Sequence, residues 1–246
     1  MIVGRKVLNI IVLNIISVYA PQTWCKWEEK EEFHITLSKT LALIGTGEHL
    51  IVCGDLNGHV AEKDGFDDVH GGYGFGSRNV EGEMLLECAD AWKLACTNTW
   101  FKKESVKLVT YESGGVKTVV DYILVRIHER KMVQNVFAIP GEACLQQHKL
   151  LVGVLNLTES VRGGDEKFVS RCKLWKLKKA DICATFRQRV QERADKISDG
   201  NVDMIWNELR NCLLEVSEDL CGKTKGRQRH EKTWWWNDDV AKVIKE

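Results

Sequence analysis

Hydrophobic and polar positions along this chain switch between two periods, and the switches mark its elements. Glu28 to Ile44 carries Phe33, Leu37, Leu41 and Ile44 at spacings of three and four, with acidic residues in the first turn, which predicts a helix with one buried face. His49 to Asp55 is a short apolar run of strand length. Gly58 to Asn79 is rich in Gly and Asp, which predicts a long ordered loop, and loops of that length in compact domains usually carry function or are disordered. Glu81 to Trp92 reads as a second helix. Lys107 to Tyr111 and Thr118 to Val125 flank Ser113-Gly114-Gly115, the mark of a hairpin. Met132 to Ile139 and Lys149 to Leu157 are further strands. Strands and helices interleave, so the expected class is α/β or α+β.

The two ends have their own texture. Residues 7–20 are apolar and follow Arg5 and Lys6, a pattern that imitates a signal peptide. Asn9 and Asn14 interrupt the run and it is too short to span a bilayer, so a buried strand is expected. Val7-Leu8-Asn9-Ile10-Ile11 is repeated at once as Val12-Leu13-Asn14-Ile15-Ile16. A five-residue insertion flips the faces of one copy against the other, so one copy is expected to be an unpaired extension. From Ser160 the pattern changes, and Gly163-Gly164-Asp165 reads as a linker. Lys178 to Ile197 and Val202 to Leu220 then read as helices, Gly222 to Lys232 is basic and turn-rich, and Trp234-Trp235-Trp236-Asn237 opens a last short helix. The expected division is residues 1–158 and 159–246.

Composition narrows the function only slightly. The chain has 246 residues, enough for one sizeable core and an appendage, and its 44% hydrophobic and 28% charged content is ordinary. Net charge is zero, so global charge does not point to nucleic acid. Residues 1–160 hold 16 Lys and Arg against 20 Asp and Glu, while residues 161–246 hold 19 against 15, which places the basic character late. The nine cysteines form no Cys-x-x-Cys pair, and Cys53, Cys88, Cys96 and Cys212 lie in apolar runs. Reduced thiols in an intracellular protein, nuclear or cytoplasmic, are expected rather than a zinc site.

Three short segments carry the candidate chemistry: Gly54-Asp55-Leu56-Asn57, Val120-Asp121-Tyr122-Ile123 and Gln146-Gln147-His148. Carboxylates, an amide and a histidine at strand ends suit hydrolysis of phosphate esters, which needs a base for water, donors for phosphoryl oxygens and usually a divalent metal. Asp55 with Asn57 also fits an Asx turn closing a strand. Asp121 sits inside an apolar strand, where an ionised carboxylate needs a partner, and His148 is the candidate. Tyr19 fits equally a phosphate donor and a strand-end residue packed before Pro21.

These segments, with Val18-Tyr19-Ala20-Pro21-Gln22, Gly58-His59-Val60, Val69-His70-Gly71-Gly72-Tyr73-Gly74-Phe75-Gly76 and Asp121-Tyr122-Ile123-Leu124-Val125-Arg126, resemble the endonuclease/exonuclease/phosphatase family. Within it they resemble an N-terminally truncated endonuclease domain of a BovB/RTE-type LINE retrotransposon, from about Val7 to the C-terminus. The resemblance implies an incomplete four-layer, two-sheet sandwich with a helical and basic extension like the LINE segment before the reverse transcriptase. It implies magnesium-dependent hydrolysis of DNA, with Asp55 and Asn57 handling water and phosphate and Tyr19 the phosphoryl oxygens. Asp121 with His148 would then serve charge and proton. Thr110 and Tyr111 would line the DNA groove and Lys102 and Lys103 would meet its backbone. The family's principal metal-binding Glu has no counterpart before the strand of Tyr19, which leaves Asp55 as a weak magnesium ligand and predicts impaired activity. Gln147 stands where many members carry Asp. The alternative is a non-catalytic module that binds nucleic acid or, through its C-terminal helices, protein; a transposon-derived chain with no selected role is a third reading. Lys223 to Lys232 and the tryptophans fit phosphate contact with base stacking, or a solvated linker. No membrane contact, small-molecule cofactor or polymerase function is expected.

Overall fold

A computed structural model describes residues 2–8, 11–61, 65–143, 147–157, 169–197 and 201–224. Its centre is a five-stranded sheet in the order β1-β2-β3-β7-β4, made of β1 (Ile2–Leu8), β2 (Ile11–Tyr19), β3 (His49–Asp55), β4 (Leu94–Cys96) and β7 (Asp121–Arg126). β2 and β3 run parallel, joined through α1 (Trp27–Leu41), and the other pairs are antiparallel. α2 (Val80–Ala91) leads into β4. A parallel pair needs a crossover of a dozen residues or more, which the α1 connection supplies.

The alternation of side chains sorts this sheet into two faces. Ile16, Val18, Leu50, Val52 and Leu124 point to one side and pack with Leu37 and Leu41 of α1 and Leu85 and Leu86 of α2. Leu13, Ile51 and Val125 point to the other side. There they meet a two-stranded antiparallel sheet of β8 (Val133–Ala143) and β9 (Lys149–Leu155), through Val133, Val136, Leu151 and Leu155. Helices, sheet and second sheet therefore stack in layers, and the expected α/β class is the one the chain adopts. The second sheet is narrow. On the same face of β2 as Leu13, Ile15 is 38% exposed and Tyr19 is 62% exposed.

Asn14 interrupts an apolar run because its position on the helix-facing side is polar: its amide donates to Glu48 Oε2 at 2.9 Å and to the His49 carbonyl at 3.3 Å. The tandem repeat overturns one expectation. β1 is not an unpaired extension; it pairs antiparallel with β2 from Ile2↔Ser17 to Leu8↔Ile11, so Val7 and Leu8 of the first copy close the hairpin while Leu13 to Ile16 of the second copy pair with residues 3–6, and β1 covers the edge of β2. Lys107 is a second correction. It lies in a short helix, α3 (Ser105–Leu108), and the hairpin is confined to β5 (Tyr111–Ser113) and β6 (Val116–Thr118). Its two turn residues, Gly114 and Gly115, have φ of 55° and 81°, the conformation of a type I′ turn that glycine adopts without strain.

The loop before α2 is ordered by buried hydrogen bonds where it is described. His70 Nδ1 accepts from the Gly72 N–H at 3.1 Å, which leaves Nε2 to donate to the Ala61 carbonyl at 3.0 Å. Asn79 Oδ1 caps α2 by accepting from the Gly82 N–H and also from the His59 N–H, both at 2.8 Å. Beyond β9 come α4 (Ala180–Ala194) and α5 (Val202–Cys221), which pack together and against the 3₁₀ turn Leu174–Lys178. The expected linker at Gly163-Gly164-Asp165, most of the basic segment and the tryptophan-led helix lie outside the described residues. The eight described cysteines are free thiols. Burial pushes Cys88 and Cys96 up to about 12, so both stay protonated and inert. No described helix is long and apolar enough to cross a membrane.

Candidate active site

Strand register brings the candidate residues into one row. Tyr19 on β2 is paired with Asp55 on β3, and Asp55 is paired with Asp121 on β7. Residues directly opposite in a sheet project from the same face, here the face that carries the second sheet. His148 comes from the other layer. It precedes β9 and is tied by an isolated bridge to Tyr111, whose ring meets the imidazole edge-on with 4.9 Å between centroids.

The side chains meet closely. His148 Nδ1 lies 3.0 Å from Asp121 Oδ2, and His148 Nε2 lies 3.9 Å from Asp55 Oδ2. Pairing with Asp121 places the proton on Nδ1 and leaves Nε2 turned toward Asp55. Asp55 Oδ1 accepts from the Asn57 N–H at 2.9 Å, so the Asx turn is present and the other carboxylate oxygen faces the histidine. Asn57 adopts φ 46°, and its side-chain amide donates to the Ala20 carbonyl at 2.8 Å, linking the ends of β2 and β3. One of its two amide hydrogens remains for a ligand. Burial holds the Asp55 carboxyl above its ordinary value; the Asn57 N–H opposes that shift, nearby Asp121 adds to it, and His148 opposes it.

Several positioning residues escaped sequence reading. Asn98 bridges the backbone of β7, donating to the Asp121 carbonyl at 3.0 Å and accepting from the Ile123 N–H at 3.0 Å. The polar run Thr97-Asn98-Thr99 after an apolar strand is the signal that could have marked it, since all three side chains are buried. Tyr122, beside Asp121, is fully buried; its hydroxyl is hydrogen-bonded to the Gly58 and Val119 carbonyls, each at 2.8 Å.

The expected DNA-facing residues divide. Thr110 is 0% exposed and its hydroxyl accepts from the Val120 and Asp121 N–H groups at 3.1 and 3.2 Å. It fixes the start of β7 and does not line a groove. Tyr111 is half-buried, and its hydroxyl donates to Gln147 Oε1 at 2.9 Å, which holds the segment carrying His148. Lys102 is exposed, and Lys103 is half-buried with its ammonium 5.8 Å from the Phe101 ring centroid. Tyr19 keeps its place in the row, and its exposed hydroxyl accepts from Gln22 Nε2 at 2.6 Å.

Magnesium needs near-octahedral oxygen ligation. Among the described residues no group of three or more His, Cys, Asp and Glu side chains is arranged to hold a metal ion. Asp55 and Asp121 are the two described carboxylates in this row and His148 is a nitrogen donor, so the described residues do not assemble the oxygen set of a magnesium centre.

No family model matches the chain. Craniofacial development protein 2 from Bos taurus is 32% identical over 147 residues, which cover 59% of this chain and 25% of that protein. The same protein from Tragulus javanicus is 30% identical over 147 residues, with the same coverage. This chain therefore matches about a quarter of the length of those curated relatives, and the matched stretch is shorter than the resemblance read from the motifs. Among solved structures, the endonuclease domain of TRAS1, a telomere-specific non-LTR retrotransposon, is similar with a TM-score of 0.47 and 12% identity, over 63% of this chain and 61% of that one. The 3′-5′ exonuclease NExo from Neisseria meningitidis has a TM-score of 0.46 and 15% identity, over 63% and 65%. Over those 147 residues the chain is similar in sequence to craniofacial development protein 2, and it carries that likeness on a mixed α/β scaffold.

Proposed function

We propose that this chain is a LINE-derived, endonuclease-like protein whose ancestral reaction was magnesium-dependent hydrolysis of a DNA phosphodiester. The observation that carries the reading is the three-residue contact in which Asp121 fixes His148 at 3.0 Å and His148 Nε2 stands 3.9 Å from Asp55. In this reading Asp55, a stronger base for its burial, takes a proton from the attacking water. His148, oriented by its Nδ1 contact with Asp121, faces the phosphoryl oxygens through Nε2. Asn57 and Tyr19 supply further donors at the edge of the row. The described side chains do not assemble a ligand set for magnesium.

A second reading, a non-catalytic binding module, is favoured by a different observation. α5 exposes Val202 at 82% and Trp206 at 60%, an apolar presentation suited to a protein partner.

The test is nicking of supercoiled plasmid in magnesium by the full chain beside His148→Ala and Asp121→Asn, with DNA binding measured in parallel. Nicking that falls in both variants supports the hydrolytic reading. Equal nicking by all three proteins assigns it to a contaminant and removes that reading. Absent nicking in all three leaves the binding module as the function.

A further inference from the structure

Away from the strand-end site, α1, α2 and the returning segment around Trp175 enclose a cavity of about 170 Å³. Ile35, Met84, Ala91, Trp92 and Trp175 supply its apolar lining, beside polar residues that include His34 and Glu87. Trp175 is stacked on Trp27 at 5.3 Å between centroids and 16° between planes, and Trp92 is fixed by donating its indole N–H to Ser38 Oγ at 3.0 Å. The aromatic surfaces are therefore held before any ligand arrives. At the mouth, Lys173 is paired with Glu31.

Two polar atoms in this lining are left over. Glu87 is only 6% exposed; its Oε1 accepts from the Trp175 N–H at 3.1 Å, while Oε2 is buried and has no partner. His34 Nδ1 is likewise buried without a partner. A buried polar atom left unpaired carries the penalty of its lost hydration, so the folded chain gains when something supplies the missing hydrogen bonds. Cavities of about 150 Å³ hold one benzene-sized ring, which sets the scale of an occupant here.

We propose that this cavity binds a single-ring, flat nitrogen heterocycle whose edge carries both a hydrogen-bond donor and an acceptor, the ring lying against the tryptophans and the edge meeting Glu87 Oε2 and His34 Nδ1. Protonation states agree with a neutral ligand. Burial pushes the Glu87 carboxyl up to about 8, so near neutral pH it is protonated and offers its O–H to a ring acceptor. Burial, followed by the Lys173 charge, pushes His34 down to about 4, leaving it a neutral imidazole. Cys88 also lines the cavity, but its raised thiol is not a nucleophile, so binding is non-covalent.

The probe is 2-pyridone, with toluene as the apolar ring of similar size, titrated against the full chain and followed by tryptophan fluorescence and protein NMR. At least tenfold tighter binding of 2-pyridone than of toluene is expected, with shifts confined to residues of α1, α2 and the Trp175 segment. Glu87→Leu should abolish the preference while keeping toluene binding, and Ala91→Phe, which fills the cavity, should abolish both. His34→Phe carries the same arm as Glu87→Leu if that variant fails to fold. No binding of either probe, equal binding of both, or a preference that survives loss of the polar partner would each overturn the proposal and leave a cavity that holds water.

Discussion

At the strand ends, His148 is clamped by Asp121 and stands beside Asp55; behind α1 and α2, His34 and Glu87 line the same cavity with one buried atom each unpaired. The side-chain types are the same and the surroundings decide the outcome. In the first neighbourhood the histidine contacts one carboxylate and stands near another, with partial solvent access. In the second, burial drives both groups toward their neutral forms, and what remains is hydrogen-bonding capacity rather than charge. A carboxylate–histidine set is therefore not diagnostic of catalysis until its environment is known.

The largest expected effect breaks this contrast at Glu87. The folded chain holds the Glu87 proton more tightly than the unfolded chain, because its carboxyl is raised from 4.5 to about 8. Its contribution to stability is whole below about pH 4.5 and is lost as pH rises toward 8, on the order of 5 kcal/mol as an upper bound. Thermal melts across that window should show wild type losing stability and Glu87→Gln losing much less; parallel slopes would mean that Glu87 is ionised in the fold.

Next comes the strand-end site. His148→Ala should lower any plasmid nicking by about 10²–10⁴-fold, the usual weight of a positioned acid or base, while the melting temperature stays within a few degrees of wild type. Equal losses of activity and folding would make His148 a packing residue.

A third effect separates the site from its scaffold. Gly54, just before Asp55, has φ 139°, and a Cβ there would stand 2.0 Å from the Val18 carbonyl oxygen. Gly54→Ala should cost about 3 kcal/mol through forced displacement of β2 from β3, and lose the row of Tyr19 and Asp55 with it. Unchanged urea unfolding would show that these strands have slack.

The smallest effect is expected between α4 and α5. Arg193 reaches Glu215 at 2.7 Å on the surface, and exposed pairs contribute roughly 0.2–1 kcal/mol. Arg193→Ala should barely move the midpoint, and less so in high salt; a shift of several degrees would reveal tighter coupling of the two helices.

Elements with one buried face were readable from sequence. β3 emerges at His49–Asp55 because burial on both faces leaves a continuous apolar run, and α1, α2 and α5 lie within a few residues of the bounds that their apolar spacing predicts. The short strand β4 was not readable: three buried residues, Leu94–Cys96, are too few to show a period. The Asp121–His148 contact was anticipated because an acid inside an apolar strand demands a partner. The bridge made by Asn98 was not, since an amide's usefulness to a distant strand leaves no local pattern. Thr110 misled for the opposite reason, a β-prone residue near the site whose hydroxyl turns inward. The His34–Glu87 cavity is a product of tertiary packing, with its lining drawn from segments more than a hundred residues apart.

The doubled Val-Leu-Asn-Ile-Ile at the start of the chain has a consequence for the edge of the sheet. Val7 pairs with Val12 and Leu8 with Ile11, while Leu13 to Ile16 of the second copy pair with Lys6 back to Val3, outside the repeat. The first copy thus lengthens the hairpin at its closed end, and the strand that borders β2 is built mostly from residues that precede the repeat. Deleting residues 7–11 would remove that closed end and join Lys6 directly to Val12, too close in sequence to Leu13 for the border strand to fold back in its present register.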